Sequence, residues 1–217
     1  TDDQYLTKLF DNLVACKSPV DVHYSQQKAV YSNGATRNEN LWIEDLIPWL
    51  VSQKKNHGDS YFVDAPFLLR STGFAHLNCS VFRREFYLSV GCMDETIRYE
   101  NDRDMYLRSI DAASVMLYST NYMSVHNIPD STKKANMSTV SSDIEKKIYQ
   151  MRVYDKGLSF SKNIAVLRFC CKAKIYEQKN AARILAADKQ YLSAAFYAKA
   201  ALTDGFGLRW LAYTLYL

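Results

Sequence analysis

The chain has 217 residues, 48% of them hydrophobic and 23% charged, a globular make-up that excludes a disordered or collagen-like chain. The net charge of +4 hides an uneven spread: residues 1–132 hold 12 Lys/Arg against 17 Asp/Glu, a balance of −5, and residues 133–217 hold 15 against 6, a balance of +9. No stretch reaches the ~18 apolar residues of a membrane span, and the five cysteines, Cys16, Cys79, Cys92, Cys170 and Cys171, are odd in number with no CxxC pair, which argues against a zinc site and a disulfide framework.

The chain opens at Thr1 with no basic segment followed by an apolar core, so no signal peptide is visible. Thr1-Asp2-Asp3-Gln4-Tyr5 already reads as a helix start, which leads us to expect residues upstream. A helix capped by Asp2 or Asp3 is predicted to about Lys17, with Tyr5, Leu6, Leu9, Phe10, Leu13 and Val14 at helical spacing and Pro19 beyond its end. Val20 to Tyr31 alternates apolar and polar residues and runs into Ser32-Asn33-Gly34, the pattern of an exposed strand or hairpin. Leu41 to Lys55 has helical periodicity with Pro48 as a kink. Short helices are predicted over Ala65–Leu69 and Arg83–Val90, the second stopping at Gly91, with a strand over His76–Phe82 between them. Then come a helix over Asn101–Ala112, two short strands at Val115–Tyr118 and Tyr122–Val125, and a polar loop from Asn127 to Asn136.

From Met137 onward the pattern is helical throughout: Ser141–Asp155, with a cap at Ser141 or Ser142 and Glu145 in the first turn, then Phe160–Glu177, a hairpin of Ala181–Ala187 and Tyr191–Leu202, and a last helix from Leu208. The small-residue spacing of the hairpin is similar to one tetratricopeptide helix pair, but a single pair is a packing face and not a solenoid. The fold class expected is α/β up to about residue 136 and all-α from 137 to 217, a helical extension whose basic residues read first as a solvated helical surface and second as contact with an anionic membrane face or polyanion. The basic residues are scattered and carry no nucleic-acid-binding signature, so nucleic acid is not expected as a partner.

Two groups of acidic residues stand out. Asp2 and Asp3 form one, and hard divalent cations such as Mg2+ and Mn2+ take carboxylate oxygens; taken alone, the pair reads first as a helix cap, which Asp supplies routinely. The other runs from Asp94-Glu95 to Asn101-Asp102-Arg103-Asp104, where Asp102 falls in a first helical turn and the dipole favours its ionised form. His126 follows a strand and precedes a proline loop, a place for a ligand or phosphate contact.

In this order the motifs resemble the C-terminal half of a family-2 glycosyltransferase of the GT-A type, over about residues 1–136. Thr1-Asp2-Asp3-Gln4-Tyr5-Leu6 is similar to the end of the family's acidic motif, and Val22-His23-Tyr24 with Asn33-Gly34 to its following strand and turn. Phe82-Arg83-Arg84-Glu85 and Gly91-Cys92-Met93-Asp94-Glu95 look like its Arg-Arg-Glu and Gly-Gly-Phe-Asp-Glu segments. Asn101-Asp102-Arg103-Asp104-Met105-Tyr106-Leu107-Arg108 looks like its Glu-Asp-x-Asp helix, and Tyr122 to His126 like its closing Tyr-Arg-x-His loop. Asn101 stands where the family has Glu, Cys92-Met93 where it has Gly-Phe, and no Arg precedes His126.

The resemblance implies a partial GT-A-like mixed sheet and an inverting hexosyl transfer from a nucleotide-diphosphate sugar to a hydroxyl on a polysaccharide, lipid-linked or protein glycan acceptor. It implies Asp102 as the base, a manganese or magnesium ion on Asp3 and Asp2 with His126, and acceptor contacts from Arg83, Arg84, Asp94, Glu95, Asn101 and Trp42, the last on a segment shared with Trp49. Such an enzyme works in the cytoplasm, at the inner face of the membrane if the basic helices dock there. The alternatives are a glycan-binding protein without transfer, for which Asn101 is the motive, and a helical module that docks a partner or a membrane.

Overall fold

The computed structural model describes residues 4–37, 42–52, 56–71, 73–128 and 137–217. Asp2 and Asp3, and most of the loop predicted from Asn127 to Asn136, lie outside them. The chain is α/β and divides into two compact units: residues 1–94 with 105–133, and residues 95–104 with 134–217.

The first unit carries a mixed sheet. In chain order its elements are α1 (Tyr5–Ala15), β1 (Val22–Val30), a 3-10 turn (Glu44–Leu46) running into α2 (Ile47–Ser52), β2 (Asn56–His57), β3 (Ser60–Val63), α3 (Ala65–Leu68), β4 (Ser80–Phe82), α4 (Arg84–Ser89), α5 (Asn101–Ala112, in this unit from Met105) and β5 (Met116–Asn127). Among the described residues the strand order is β2-β3-β5-β1-β4, with β1 and β5 parallel and the other pairs antiparallel.

β1 is not the exposed strand that its alternation suggests. It lies between β5 and β4, and residues of both parities are buried, from Val22 and Tyr24 to His23, Ser25, Gln26 and Gln27. The polar ones are accommodated by partners distant in sequence: His23 Nε2 lies 3.1 Å from Ser60 Oγ, Ser25 Oγ donates to Cys79 O, and Gln26 Nε2 donates to Thr120 O at 2.8 Å. Tyr24 packs edge-on against Tyr106 of α5, whose Met105, Leu107 and Ile110 are also buried. The two strands expected at 115–118 and 122–125 form the single strand β5, because the polar Ser119-Thr120-Asn121 between them is taken up as an irregularity in the pairing with β1. The helix expected over 41–55 shrinks to the 3-10 turn and α2, with Pro48 in the first turn, where its missing N–H does no harm. The strand expected from His76 begins with a 3-10 turn at Leu77–Cys79 and is extended only over Ser80–Phe82.

α1 starts after Gln4, which makes no side-chain cap. α3 is capped by Asp64, whose carboxylate accepts from Phe67 N at 2.8 Å. Asp21 ties three strand ends together. It is 5% exposed, its Oδ2 accepts from Ser114 N and Val115 N ahead of β5, and its Oδ1 accepts from Arg83 ahead of α4.

The second unit is helical. Its later part contains α6 (Met137–Val140), α7 (Asp143–Phe160), α8 (Ile164–Ala187), α9 (Tyr191–Asp204) and α10 (Leu208–Tyr216). α7 begins with a capping box in which Ser142 and Glu145 satisfy each other's backbone N–H. The segments expected as separate helices at 160–177 and 181–187 are one helix, α8, and its polar middle is held by Gln178 donating to Asp204 and Asn180 donating to Glu177. Ala181 and Ala182 of α8 and Ala198 and Ala201 of α9 have no exposed surface, so small side chains let these helices approach closely. Trp210 of α10 seals this face and donates its indole N–H to Ala198 O at 2.9 Å. All five cysteines are free; Cys79 and Cys170 are buried, whereas Cys171 is exposed and Cys16 and Cys92 are half-buried. Among the described residues no helix is long and apolar enough to cross a membrane.

Candidate functional site

In the helical unit, the first turn of α5 is fixed by charge. Glu100 precedes the helix at φ +66°, in the left-handed region, and its carboxylate pairs with Arg103. Arg103 also donates to the Tyr154 hydroxyl at 2.7 Å, and Gln150 donates to the second oxygen of Glu100 at 2.9 Å. Burial works against the Arg103 charge, but the Glu100 carboxylate and the Tyr154 hydroxyl outweigh it and hold that charge firmly. The two aspartates of this turn have different surroundings. Asp104 is fully buried and its Oδ2 accepts from Lys156 Nζ at 2.9 Å. Asp102 is half-buried, accepts from the Arg103 backbone N–H at 2.9 Å, and sits where a helix dipole favours a carboxylate. Asn101 is the half-buried first residue of the helix.

In the sheet unit, the far end of β5 carries His126, paired in register with Ala29 of β1. Its ring meets Trp42 at 5.3 Å and His76 at 5.4 Å between centroids, and Trp42 and His76 are 6.3 Å apart, all three edge-on. Burial, and then the nearby His76, push the His126 imidazole below its ordinary pKa, so it is neutral near pH 7. His76 Nδ1 accepts from Asn78 N at 3.2 Å, which places the proton of a neutral ring on Nε2. Trp42 is held from behind: its backbone N–H donates to Glu44 Oε2 at 2.7 Å, and its carbonyl lies 3.1 Å from Ser71 Oγ. Its side chain also walls a cavity of about 180 Å3 reached by Gln27, Lys28, Arg37, Glu44 and Tyr122.

The residues singled out from the sequence belong to one unit or the other. Trp42 and His126 are in contact. Asn101 and Asp102 lie together at the start of α5. Arg83 is engaged in the ion pair with Asp21 at 2.6 Å, which gives it a structural duty. Arg84 is exposed on α4, Asp94 is half-buried, Glu95 is exposed, and Trp49 is exposed with the Arg70 guanidinium over its ring. Among the described residues no group of three or more His, Cys, Asp or Glu side chains is placed to hold a metal ion. Sequence reasoning missed His76 and Gln27. No local signal marks either, because their partners lie on elements far away in the chain.

Compared with known proteins, the chain matches no family model, no curated protein and no solved structure.

Proposed function

We propose that the chain is part of an inverting glycosyltransferase that moves a sugar from a nucleotide-diphosphate donor to a hydroxyl acceptor. The observation that carries this reading is the first turn of α5. Of its two aspartates, Asp104 is committed to Lys156, while Asp102 remains half-buried at a helix entrance that favours the carboxylate. The order of motifs from Asp2-Asp3 to His126 supports the same reading, as does the α/β architecture.

In this mechanism Asp102 accepts the proton of the acceptor hydroxyl as that oxygen attacks the anomeric carbon. The bond to the donor phosphate breaks in the same displacement, and the anomeric centre inverts. One base suffices, unlike the paired carboxylates of sugar hydrolysis. Two carboxylates and a neutral imidazole form a donor set suited to Mn2+ or Mg2+. Asp3 and Asp2 would supply the first two and His126 the third, and only His126 is among the described residues. The ion's chemistry would be to neutralise charge on the departing diphosphate.

The test is Asp102→Asn in the protein with its complete chain, assayed for release of nucleoside diphosphate from a panel of nucleotide sugars with Mn2+. Transfer is expected to fall by about 10²–10⁴-fold with nucleotide binding retained. Near-normal turnover removes Asp102 as the base.

A second reading, a docking module for a membrane or partner, is favoured by the last helices, where Leu192 (89% exposed), Phe196, Leu208, Leu215 and Tyr216 face solvent, within a segment, residues 133–217, whose charge balance is +9. Co-sedimentation of the whole chain with anionic vesicles, lost at high salt, would support it.

A further inference from the structure

Pairing between β1 and β5 slips at its middle: Gln26 opposes Tyr122 and the next residue, Gln27, opposes Ser124. Such an irregularity breaks the strict alternation of a strand and re-aims its side chains. Here four consecutive residues, Gln26, Gln27, Lys28 and Ala29, line the same cavity of about 180 Å3. That space exceeds by an order of magnitude the ~10–15 Å3 that one water needs.

Gln27 is the informative member. It is only 3% exposed. Its side-chain oxygen accepts from the Ser124 hydroxyl at 3.2 Å, while its amide nitrogen has no hydrogen-bond partner among the described residues. A buried donor without an acceptor is destabilising, so the position calls for an oxygen supplied from the cavity. The remaining lining is of mixed sign. Lys28 and Arg37 bring cations, Glu44 brings a carboxylate, and Trp42 and Tyr122 bring aromatic surface. The Lys28 ammonium lies 5.1 Å from the centre of the Tyr122 ring, at the exposed rim.

We propose that this cavity is a saccharide subsite that takes a single neutral sugar ring, with the Gln27 amide donating to one of its hydroxyl oxygens. A hydroxyl is donor and acceptor at once, which matches a wall that offers N–H groups beside a carboxylate. A multiply charged anion would face Glu44, and a cation would face Lys28 and Arg37. The aromatic surfaces suit the apolar C–H faces of a pyranose. The assignment stands on this cavity alone and needs neither Asp102 nor the transfer reaction.

The experiment is ligand-observed saturation-transfer NMR on the whole chain with a panel of neutral methyl hexopyranosides, and inorganic phosphate as a competitor. At least one hexopyranoside is expected to receive saturation that phosphate does not displace. Its affinity is expected to fall about tenfold or more in Gln27→Met and in Tyr122→Ala. Tyr122 is 48% exposed, so its truncation leaves the fold intact, as circular dichroism would verify. If Gln27→Met does not fold, Glu44→Gln takes its place. No signal from any hexopyranoside, a signal that survives these substitutions, or displacement by phosphate overturns the proposal. Sugar binding by an unmodified chain that turns over no donor would remove the transfer reading and leave the subsite standing.

Discussion

Arg83 reaches Asp21 across 62 positions of chain, Nη2 to Oδ1 at 2.6 Å, and closes a junction at which β1 and β5 begin and β4 ends. The Asp21 carboxylate also accepts two backbone N–H groups, from Ser114 and Val115. Burial works against the charge, but the Arg83 guanidinium and these N–H groups outweigh it and hold the carboxyl below its ordinary pKa. That stability is present above the carboxyl's unfolded pKa and is lost as pH falls through the depressed folded value.

Arg83→Ala is therefore expected to cost about 1–3 kcal/mol, because it leaves a buried carboxylate short of its counter-charge. Thermal and urea unfolding read this directly. If the residue instead served an acceptor substrate, stability would stay level and KM would rise.

His23 gives a second pH-dependent term, of the same sign. Burial pushes its imidazole down to about 4, against an ordinary 6.5, and hydrogen bonding with its own backbone offsets only part of this. The unfolded chain takes up the proton first, so stability is complete above pH 6.5 and declines as pH drops toward 4, by about 3 kcal/mol. Urea titrations at intervals between pH 7 and 4 should show that slope, and His23→Asn should flatten it. The His126 ring, also shifted downward, adds to the same limb and is separated by its own substitution.

Gly73 is pressed against the backbone of Trp42. A Cβ placed there would lie 2.0 Å from the Trp42 carbonyl oxygen, and backbone cannot swing aside as a side-chain tip can. Its N–H donates to Ser71 Oγ at 3.0 Å, and that hydroxyl lies 2.6 Å from Asp45 Oδ1. Gly73→Ala is expected to destabilise by about 1–3 kcal/mol and to displace Trp42 from His76 and His126. A red shift in tryptophan emission, absent in a Trp42→Phe background, is the readout.

The cap of α7 is exposed and isolated, which makes it a clean measure of local helix stability. Ser142→Ala should lose about 1 kcal/mol and Ser142→Asp nearly nothing, since an aspartate accepts the same Glu145 N–H. Backbone and side-chain bonding by Ser142 also hold the Glu145 carboxyl low, so the advantage should fade as the solution is acidified.

Signals carried by adjacent residues could be read directly. Asn101–Ala112 is a helix because its apolar residues recur at helical spacing, and the Ser142–Glu145 box needs only four positions to declare itself. Signals that depend on distant partners could not. The polar side of β1 looks like a solvent face until Ser60, Cys79 and Thr120 arrive to meet His23, Ser25 and Gln26. Ser119-Thr120-Asn121 looks like a turn until the opposite strand shows where the register slips. Among the candidate residues, Asp102 and His126 each stood in an order of motifs that the sequence alone displays. His76 and Gln27 had none, and only the folded chain sets one against Trp42 and His126 and the other at a cavity.

The parallel pairing of β1 with β5 brings together segments whose registered residues are more than ninety positions apart, with β2, β3, β4 and α5 made in between. Closing so large a loop consumes chain entropy before any contact rewards it, so the sheet should assemble slowly. The contacts of α7, α8 and α9 join consecutive helices and should form much sooner. During synthesis β1 has to wait for its principal neighbour with Val22 and Tyr24 unsheltered, which makes this strand the place where a nascent chain is most open to aggregation or to capture by a chaperone.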